Sequence, residues 1–171
     1  KGFEFQSSIF LSADSVIPPR HFNNSVTIKA VETDEEWNAC LQLQITCADP
    51  KFMSPHYGDF KKRQMDGYRA MSAAGLGHWY GAFLNGRLVA DLGIFHSDGI
   101  ARFQNVETHP EFRRQGLCGT LVCEVSKLAL KNYPVQVLIM EADPDYHAAD
   151  IYKSLGFQPK ESVLSLTWWK C

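Results

Sequence analysis

The sequence has 171 residues, of which 45% are hydrophobic and 21% are charged, and its net charge is −2 at pH 7. This length and composition predict an ordinary globular protein with one domain that can bury a hydrophobic core. The net negative charge argues against a dedicated nucleic-acid-binding protein, because such proteins need an excess of cations to neutralise phosphates. No apolar run is long enough to span a membrane and no signal peptide is visible, so we expect no membrane partner.

The cysteines and histidines exclude two further classes of protein. The cysteine count is odd and no C-x-x-C pair is present, which argues against a disulfide framework and against a zinc site. The six histidines also lack the spacing of metal ligands. We therefore expect a protein of the reducing cytoplasm without a bound metal, whose free cysteines are Cys40, Cys47, Cys118, Cys123 and Cys171.

The first half of the chain predicts a strand, a linker, a second strand and two helices. Residues 3–11 have the composition of a strand, and residues 14–24 contain two adjacent prolines that are typical of a linker. A strand over 26–31 follows, and the capping box of Thr33 and Glu36 then opens a helix. The second helix is predicted over 57–74, and its expected buried face consists of Tyr57, Phe60, Tyr68 and Met71.

The second half predicts three antiparallel strands and then a helix, a strand, a helix and a strand. Asn85-Gly86 joins strands 78–84 and 88–95, and Ser97-Asp98-Gly99 leads into strand 100–108. After a helix that starts near residue 117, the apolar run 135–140 predicts a buried strand. Asp143 can cap the last helix, with Pro144 at its first position and Gly156 just past its end. A strand over 162–168 closes this mixed α/β sheet, which is flanked by helices.

Residues 105–121, with the sequence NVETHPEFRRQGLCGTL, connect a strand to a helix through a basic turn that contains a glycine. Free backbone N–H groups and the positive end of the helix dipole meet at such a junction, which makes it suitable for binding phosphate. The turn has neither the Lys-Ser/Thr pair of a nucleotide-triphosphate loop nor the three glycines of a dinucleotide fingerprint. Its pattern is R-x-x-G-x-C-G.

This pattern resembles the acyl-CoA-binding signature of the GCN5-related N-acetyltransferase superfamily, usually written Q/R-x-x-G-x-G/A. Cys118 stands where the superfamily prefers glycine or alanine, although Gly119 follows directly. Residues 141–157, EADPDYHAADIYKSLGF, resemble the second block of the superfamily, A-x-x-x-Y-x-x-x-G-F. The order of predicted elements is also that of the superfamily from residue 26 onward. We therefore divide the chain into an N-terminal strand and linker, 1–25, and an acetyltransferase domain, 26–171.

The resemblance implies the acyl-CoA N-acyltransferase fold, with an extra N-terminal strand, and acetyl-CoA as cosubstrate. In this superfamily the two parallel strands separate and leave backbone groups free for the pantetheine amides. By position, Val106 and Thr108 would offer these main-chain hydrogen bonds. The residues that would surround the pyrophosphate are Arg113, Arg114, Gln115, Gly116, Leu117, Cys118 and Gly119.

Acetyl transfer to an amine needs a base for the amine, stabilisation of an oxyanion and a proton for the leaving thiolate. The resemblance places Tyr152 beside the thioester sulfur, where its phenol could supply this proton; the alternative is a core aromatic. Glu141 is the preferred base, since we expect it to project from a buried strand and to have a raised pKa. A structural carboxylate paired with an arginine is an equal alternative for Glu141, and Glu107 is the second candidate. His96, His109 and a base that acts through water stay open.

The sequence thus predicts an N-acetyltransferase that acts on a primary amine. The alternatives are a CoA-binding sensor or scaffold without turnover and an interaction domain whose glycine turn is only a helix cap. The expected partners are a small-molecule or peptide amine and a second copy of the chain in a homodimer. An aromatic-rich acceptor wall is expected from Phe52, Met53, His56, Tyr57, Phe60, Trp79 and Tyr80, although these residues could equally form core.

Overall fold

A computed structural model describes residues 3–168, so Cys171 and the other terminal residues lie outside the described part of the chain. Within it, seven strands form one sheet in the order β2-β3-β4-β5-β6-β1-β7. The strands are β1 (Glu4–Ala13), β2 (Thr27–Ala30), β3 (Gly77–Leu84), β4 (Arg87–Ser97), β5 (Ile100–Thr108), β6 (Val137–Ala142) and β7 (Gln158–Thr167). The α-helices are α1 (Asp34–Thr46), α2 (Tyr57–Ala73), α3 (Leu117–Asn132) and α4 (Ala148–Ser154). Short 3₁₀ turns occupy Pro50–Phe52 and Pro110–Phe112.

The sheet is mixed, as predicted. β5 and β6 run parallel, whereas every other adjacent pair is antiparallel. The parallel pair is joined by α3, because a connection between parallel strands must cross the sheet. Two hydrophobic clusters cover the sheet, one with α1 and α2 on one face and one with α3 and α4 on the other. The predicted fold class is confirmed.

The two predicted tight turns are confirmed by their backbone angles. Asn85 and Gly86 have φ of 50° and 81°, and Asp98 and Gly99 have φ of 50° and 80°. Positive φ at both central residues is the signature of the type I′ turn, whose twist matches that of the strands it joins. These turns fix β3, β4 and β5 as consecutive antiparallel neighbours.

The helices of the first half agree with the sequence at their ends and differ at one buried position. The Thr33 hydroxyl accepts from the Glu36 N–H, and the Glu36 carboxylate accepts from the Thr33 N–H, so the capping box is present. The predicted buried face of α2 is wrong at Phe60, which is 50% exposed. The neighbouring Lys61 is buried instead. It lies one helical turn before Met65, which is also buried, so both belong to the inner face of α2.

The predicted start of the last helix is wrong. α4 begins at Ala148, with His147 at the N-cap position. The Asp143 carboxylate accepts from the Asp145 N–H two residues on, which is the local bond of an Asx turn. Asp143 therefore shapes the loop after β6 and does not cap the helix. Gly156 follows the helix with φ of 102°, as the predicted ending requires.

The N-terminal strand lies inside the sheet, between β6 and β7. Residues 9–13 of β1 pair antiparallel with β6, and the other edge of β1 pairs with β7. Leu11 and Ala13 belong to the same hydrophobic cluster as α3 and α4. The sequence predicted this strand but not its place, and the domain boundary at residue 25 stays a prediction.

We predict that Leu11→Ala lowers the free energy of unfolding by roughly 2–5 kcal/mol, the usual cost of truncating a fully buried leucine. Leu11 is 0% exposed. Phe5→Ala is the matched control on the same strand, because Phe5 is 75% exposed, and we expect a change within about 0.5 kcal/mol there. Urea denaturation followed by circular dichroism measures both. Equal effects of the two substitutions would contradict the central position of β1.

Candidate functional site

The parallel strands β5 and β6 separate soon after they begin to pair. Their register covers only residues 100–102 of β5 against 137–139 of β6. Beyond this point a cleft of about 310 Å³ opens between them. That volume is at the lower end of the range for small-molecule sites. Its lining residues are 102–107, 140–143, Tyr146, Ala148 and Tyr152.

A bulge in β5 accompanies this separation. Asn105 and Val106 together face Leu92 of β4, because the register shifts between Asp91 and Gly93. Asn105 has φ of 43°, a left-handed conformation that asparagine tolerates better than most residues. The extra residue bends the strand and turns it away from its neighbour, as bulges next to binding sites do.

Val106 and Thr108, predicted to offer main-chain groups to pantetheine, occupy different surroundings. Val106 lines the cleft. The Thr108 carbonyl already accepts hydrogen bonds from Arg113 Nε at 3.2 Å and from Cys47 Sγ at 3.4 Å. Val106 thus borders the cleft, whereas the Thr108 carbonyl is engaged within the protein.

The basic turn places the start of α3 beside this cleft. Arg114 and Gly116 both have positive φ, of 64° and 74°, and Gly116 is the N-cap residue. The first hydrogen bond into the helix runs from the Thr120 N–H to the Gly116 carbonyl, and no side chain caps this end. The N–H groups of the first helical turn, on Leu117, Cys118 and Gly119, are thus free of helical partners, and they can hold an anion. Arg113, Arg114 and Gln115 are exposed around this end of the helix.

The two glycines of the turn lie against the chain's own linker. A Cβ on Gly116 would stand 2.2 Å from the His21 carbonyl oxygen, and one on Gly119 would stand 3.1 Å from Pro19. The Asn23 N–H donates to Thr120 Oγ1 at 2.8 Å, and Asn23 Nδ2 donates to the Gln115 carbonyl at 2.9 Å. We call residues 17–23 the strap. The resemblance implied that Gly116 borders the pyrophosphate; in the structure, the strap backbone is what approaches Gly116 closely.

Tyr152 lies on α4 with a side chain that is 4% exposed and lines the cleft. Burial, with the nearby Cys118, Glu107 and Tyr146, raises its pKa well above the ordinary value of 10. The phenol therefore stays protonated at neutral pH and can donate. Cys118 is half-buried, and burial beside Glu107 raises the pKa of its thiol to about 12, so it is protonated and not a nucleophile.

The two candidate carboxylates are in opposite environments. Glu107 is half-buried, and desolvation raises its pKa above 4.5 against the lowering effects of Lys61, Cys47 and Arg113. Glu141, expected to be partly buried, has a side chain that is 39% exposed and paired with the Arg102 guanidinium, which is the alternative role that the sequence left open. Glu141 faces away from the core because its neighbours Met140 and Ala142 take the buried face of β6.

A buried polar network, missed from the sequence, lies behind the β5 wall of the cleft. Asp91 is 0% exposed and accepts hydrogen bonds from Trp79 Nε1 at 3.0 Å and from Gln44 Nε2 at 2.8 Å. Burial raises the pKa of this carboxyl to about 7. Lys61 joins the network through Gln44 and Gln64. Asp91 within the apolar run LVADLGIF was the available sequence signal.

The predicted acceptor wall is only partly present. Trp79 and Tyr80 are buried core residues. Met53 and Phe60 are about half exposed, and the half-buried Tyr57 ring lies 6.2 Å from the Phe60 ring. Burial, with Glu107 and Cys47 nearby, raises the Tyr57 pKa. The Phe52 side chain lies outside the described part of the structure.

Comparison with known proteins decides the family. The FR47-like protein family matches residues 79–165, half of the chain, including β5, the basic turn, α3 and α4. The chain belongs to the FR47-like family of GCN5-related N-acetyltransferases. No curated protein matches the sequence significantly.

Several solved structures share the fold of this chain. A GCN5-related N-acetyltransferase from Sphaerobacter thermophilus superimposes with a TM-score of 0.73 at 16% identity, covering 97% of this chain and 53% of that one. One from Kribbella flavida gives 0.66 at 20% identity, covering 96% and 59%. The ribosomal-protein-S18-alanine N-acetyltransferase of Escherichia coli gives 0.59 at 21% identity, covering 75% of each chain. The chain thus spans less than two thirds of the first two structures.

Two further features of this FR47-like chain concern metals and membranes. Among residues 3–168, no three His, Cys, Asp or Glu side chains are grouped to hold a metal ion. Over the same residues, no helix combines the length and the apolar character needed to cross a bilayer.

We predict that Gly116→Ala destabilises this FR47-like chain by about 1–3 kcal/mol, since alanine meets both a left-handed φ and the His21 carbonyl oxygen. Gly67→Ala in α2 is the control, because no atom lies within 4 Å of its Cβ position. There we expect a gain of about 0.5–1 kcal/mol from helix propensity. Thermal denaturation measures both, and a neutral Gly116→Ala would contradict the contact with the strap.

Proposed function

We propose that the protein transfers an acetyl group from acetyl-CoA to a primary amine by direct attack, with Glu107 as general base and Tyr152 as general acid. One observation carries the proposal: Glu107 and Tyr152 both line the cleft where β5 and β6 separate, and Glu107 is one of the groups that raise the Tyr152 pKa. Family membership supports the reaction class.

The residues of this chain suit the parts of acetyl-CoA. The free N–H groups at the start of α3, with Arg114 and Gln115 exposed nearby, suit the pyrophosphate. The diverging edge of β5 at Val106 suits the pantetheine amides, which need main-chain partners. Tyr152 lines the cleft, and the thioester would lie beside it. When bound, the thioester supplies an activated acetyl group.

In the chemical step the amine nitrogen forms a bond to the carbonyl carbon and the carbon–sulfur bond breaks. Glu107 takes the proton that the amine loses, and Tyr152 gives its phenolic proton to the departing sulfur. Glu107 suits the base role because partial burial raises its pKa above that of an ordinary glutamate. Glu141, our first candidate, is less suitable, because the Arg102 guanidinium holds its carboxylate.

The acceptor amine enters, in this proposal, from the side of α2, where Tyr57 and Phe60 offer aromatic surface. Aromatic faces attract an ammonium group and also pack against an apolar body. Both a small amine and a peptide amine satisfy these contacts. We place the reaction in the reducing cytoplasm, which suits the four described cysteines, all of them free.

We predict that Tyr152→Phe lowers kcat by on the order of 10² while the Kd for CoA changes little, since phenylalanine keeps the ring and removes only the donor. Thiol release from acetyl-CoA with a panel of amines measures turnover, and isothermal titration calorimetry measures CoA affinity. An unchanged kcat would remove Tyr152 from the acid role. Tight CoA binding without turnover on any amine would favour a sensor or scaffold instead.

We predict that kcat/KM rises with pH through a midpoint above 4.5, because the base must be ionised and burial raises the Glu107 pKa. Glu107→Gln should remove this rise and lower the rate on the order of 10²-fold. The pH profile of Glu141→Gln is the comparison. Loss of the rise in Glu141→Gln, and not in Glu107→Gln, would return the base role to Glu141.

A further inference from the structure

Lys61 is a buried cation on the inner face of α2. The residue is 9% exposed, whereas Lys62 beside it has a side chain that is 64% exposed and forms an exposed ion pair with Asp66. Removing an ammonium group from water is costly unless other groups compensate for the lost hydration. The groups that replace the lost hydration of the Lys61 ammonium therefore indicate its role in the protein.

The direct partners of Lys61 are neutral amides. Its Nζ lies 3.0 Å from Gln64 Oε1 and 3.4 Å from Gln44 Oε1. Among residues 3–168, no carboxylate lies within ion-pair distance of this ammonium. Burial lowers the pKa of Lys61, and the groups that oppose this lowering from farther away are Glu107, first, and then Asp91.

The same two amides hold the bulge of β5. Gln44 Nε2 donates to the Asn105 carbonyl at 2.9 Å, and Asn105 Nδ2 donates to Gln64 Oε1 at 3.1 Å. Because the ammonium takes the oxygen of the Gln44 amide, the nitrogen of that amide must face Asp91 and Asn105. Lys61 thereby fixes the orientation of the groups that support Asn105, two residues before Glu107.

We propose that Lys61 is a positioning residue for acetyl transfer, whose amide partners hold the strand that carries Glu107 and whose charge favours the ionised form of that carboxylate. This inference rests on the proposed base role of Glu107. Lys61 acts through Glu107 and the bulge. No contact between Lys61 and the reacting atoms is required.

Among the charged groups near Glu107, Lys61 has the largest effect on its pKa. Two cations act on Glu107, and the larger influence is that of Lys61; the other is Arg113, which is exposed and donates its Nε to the Thr108 carbonyl. A cation near a carboxylate favours its ionised form, so removing Lys61 raises the Glu107 pKa. The remaining titratable groups near Glu107 come from the C-cap of α1 and from α2, β4, α3 and α4; they are Cys47, Tyr57, Asp91, Cys118 and Tyr152.

The test compares Lys61→Met, Lys61→Arg and, as matched control, Lys62→Met. Carbon-13 NMR of labelled glutamate side chains follows the titration of Glu107, assigned with Glu107→Gln, and it needs no acceptor. We expect Lys61→Met to move the Glu107 midpoint up by about one pH unit or more, since an opposite charge nearby shifts a carboxyl pKa by about 1–3 units. Below that midpoint, kcat/KM should fall about tenfold. Lys61→Arg should restore the wild-type midpoint, and Lys62→Met should match the wild type.

Folding and CoA affinity are measured on each variant by circular dichroism and calorimetry. If Lys61→Met does not fold, Lys61→Gln replaces it, because glutamine removes the charge but can still bond to the amides. An unchanged Glu107 midpoint in a folded, uncharged variant overturns the proposal. So does a loss of rate that is equal at every pH. Full activity of Glu107→Gln would instead remove Glu107 as base. The NMR titration distinguishes this outcome from failure of the Lys61 proposal, because it measures the effect of Lys61 on Glu107 without any turnover.

Discussion

The separation of β5 from β6 after three residue pairs is the constraint on which the rest of the site depends. Strands inside a sheet normally satisfy both edges, and an unpaired buried backbone group costs free energy. The cleft keeps such groups available at the centre of the fold, where rigid strands hold them in position. Tyr152 and Glu107 both line the space that opens where the two strands part.

The bend in β5 is stabilised by hydrogen bonds from polar side chains on the side of the strand that faces α1 and α2. The Asn105 carbonyl, displaced from regular pairing by the bulge, accepts its hydrogen bond from Gln44. The Gln44 amide also donates to Asp91 and accepts from Lys61. Satisfying the Asn105 carbonyl thus requires several polar residues in the interior. Networks of this kind are stable only when every member has a partner, because each unpaired member would cost the full desolvation of its group. The chemistry of the cleft thus explains a polar cluster that core packing alone would not need.

The parts of this fold that follow from local chemistry were predictable. The type I′ turns at Asn85-Gly86 and Asp98-Gly99, the capping box at Thr33 and the basic turn before α3 each depend on a few adjacent residues. The two motifs that predicted Tyr152 and the turn before α3 as parts of the site are local in the same way, and the roles of these residues stay predictions. The choice between Glu107 and Glu141 was different, because it depends on which face of each strand meets α1, α2 or solvent. Neither the sequence alternation nor the spacing of the motifs contains that information.

The strap was also beyond sequence analysis, and it changes the meaning of the glycine motif. Gly116 and Gly119 lack side chains where His21 and Pro19 approach, so the pattern R-x-x-G-x-C-G satisfies two requirements at once. It leaves free N–H groups at the start of α3, and it leaves room for the segment that connects β1 to β2. Asn23 then bonds to Gln115 and Thr120 on the two sides of the helix start. The conformation of the turn before α3 is therefore fixed from outside the turn, by the linker that follows β1, the strand between β6 and β7.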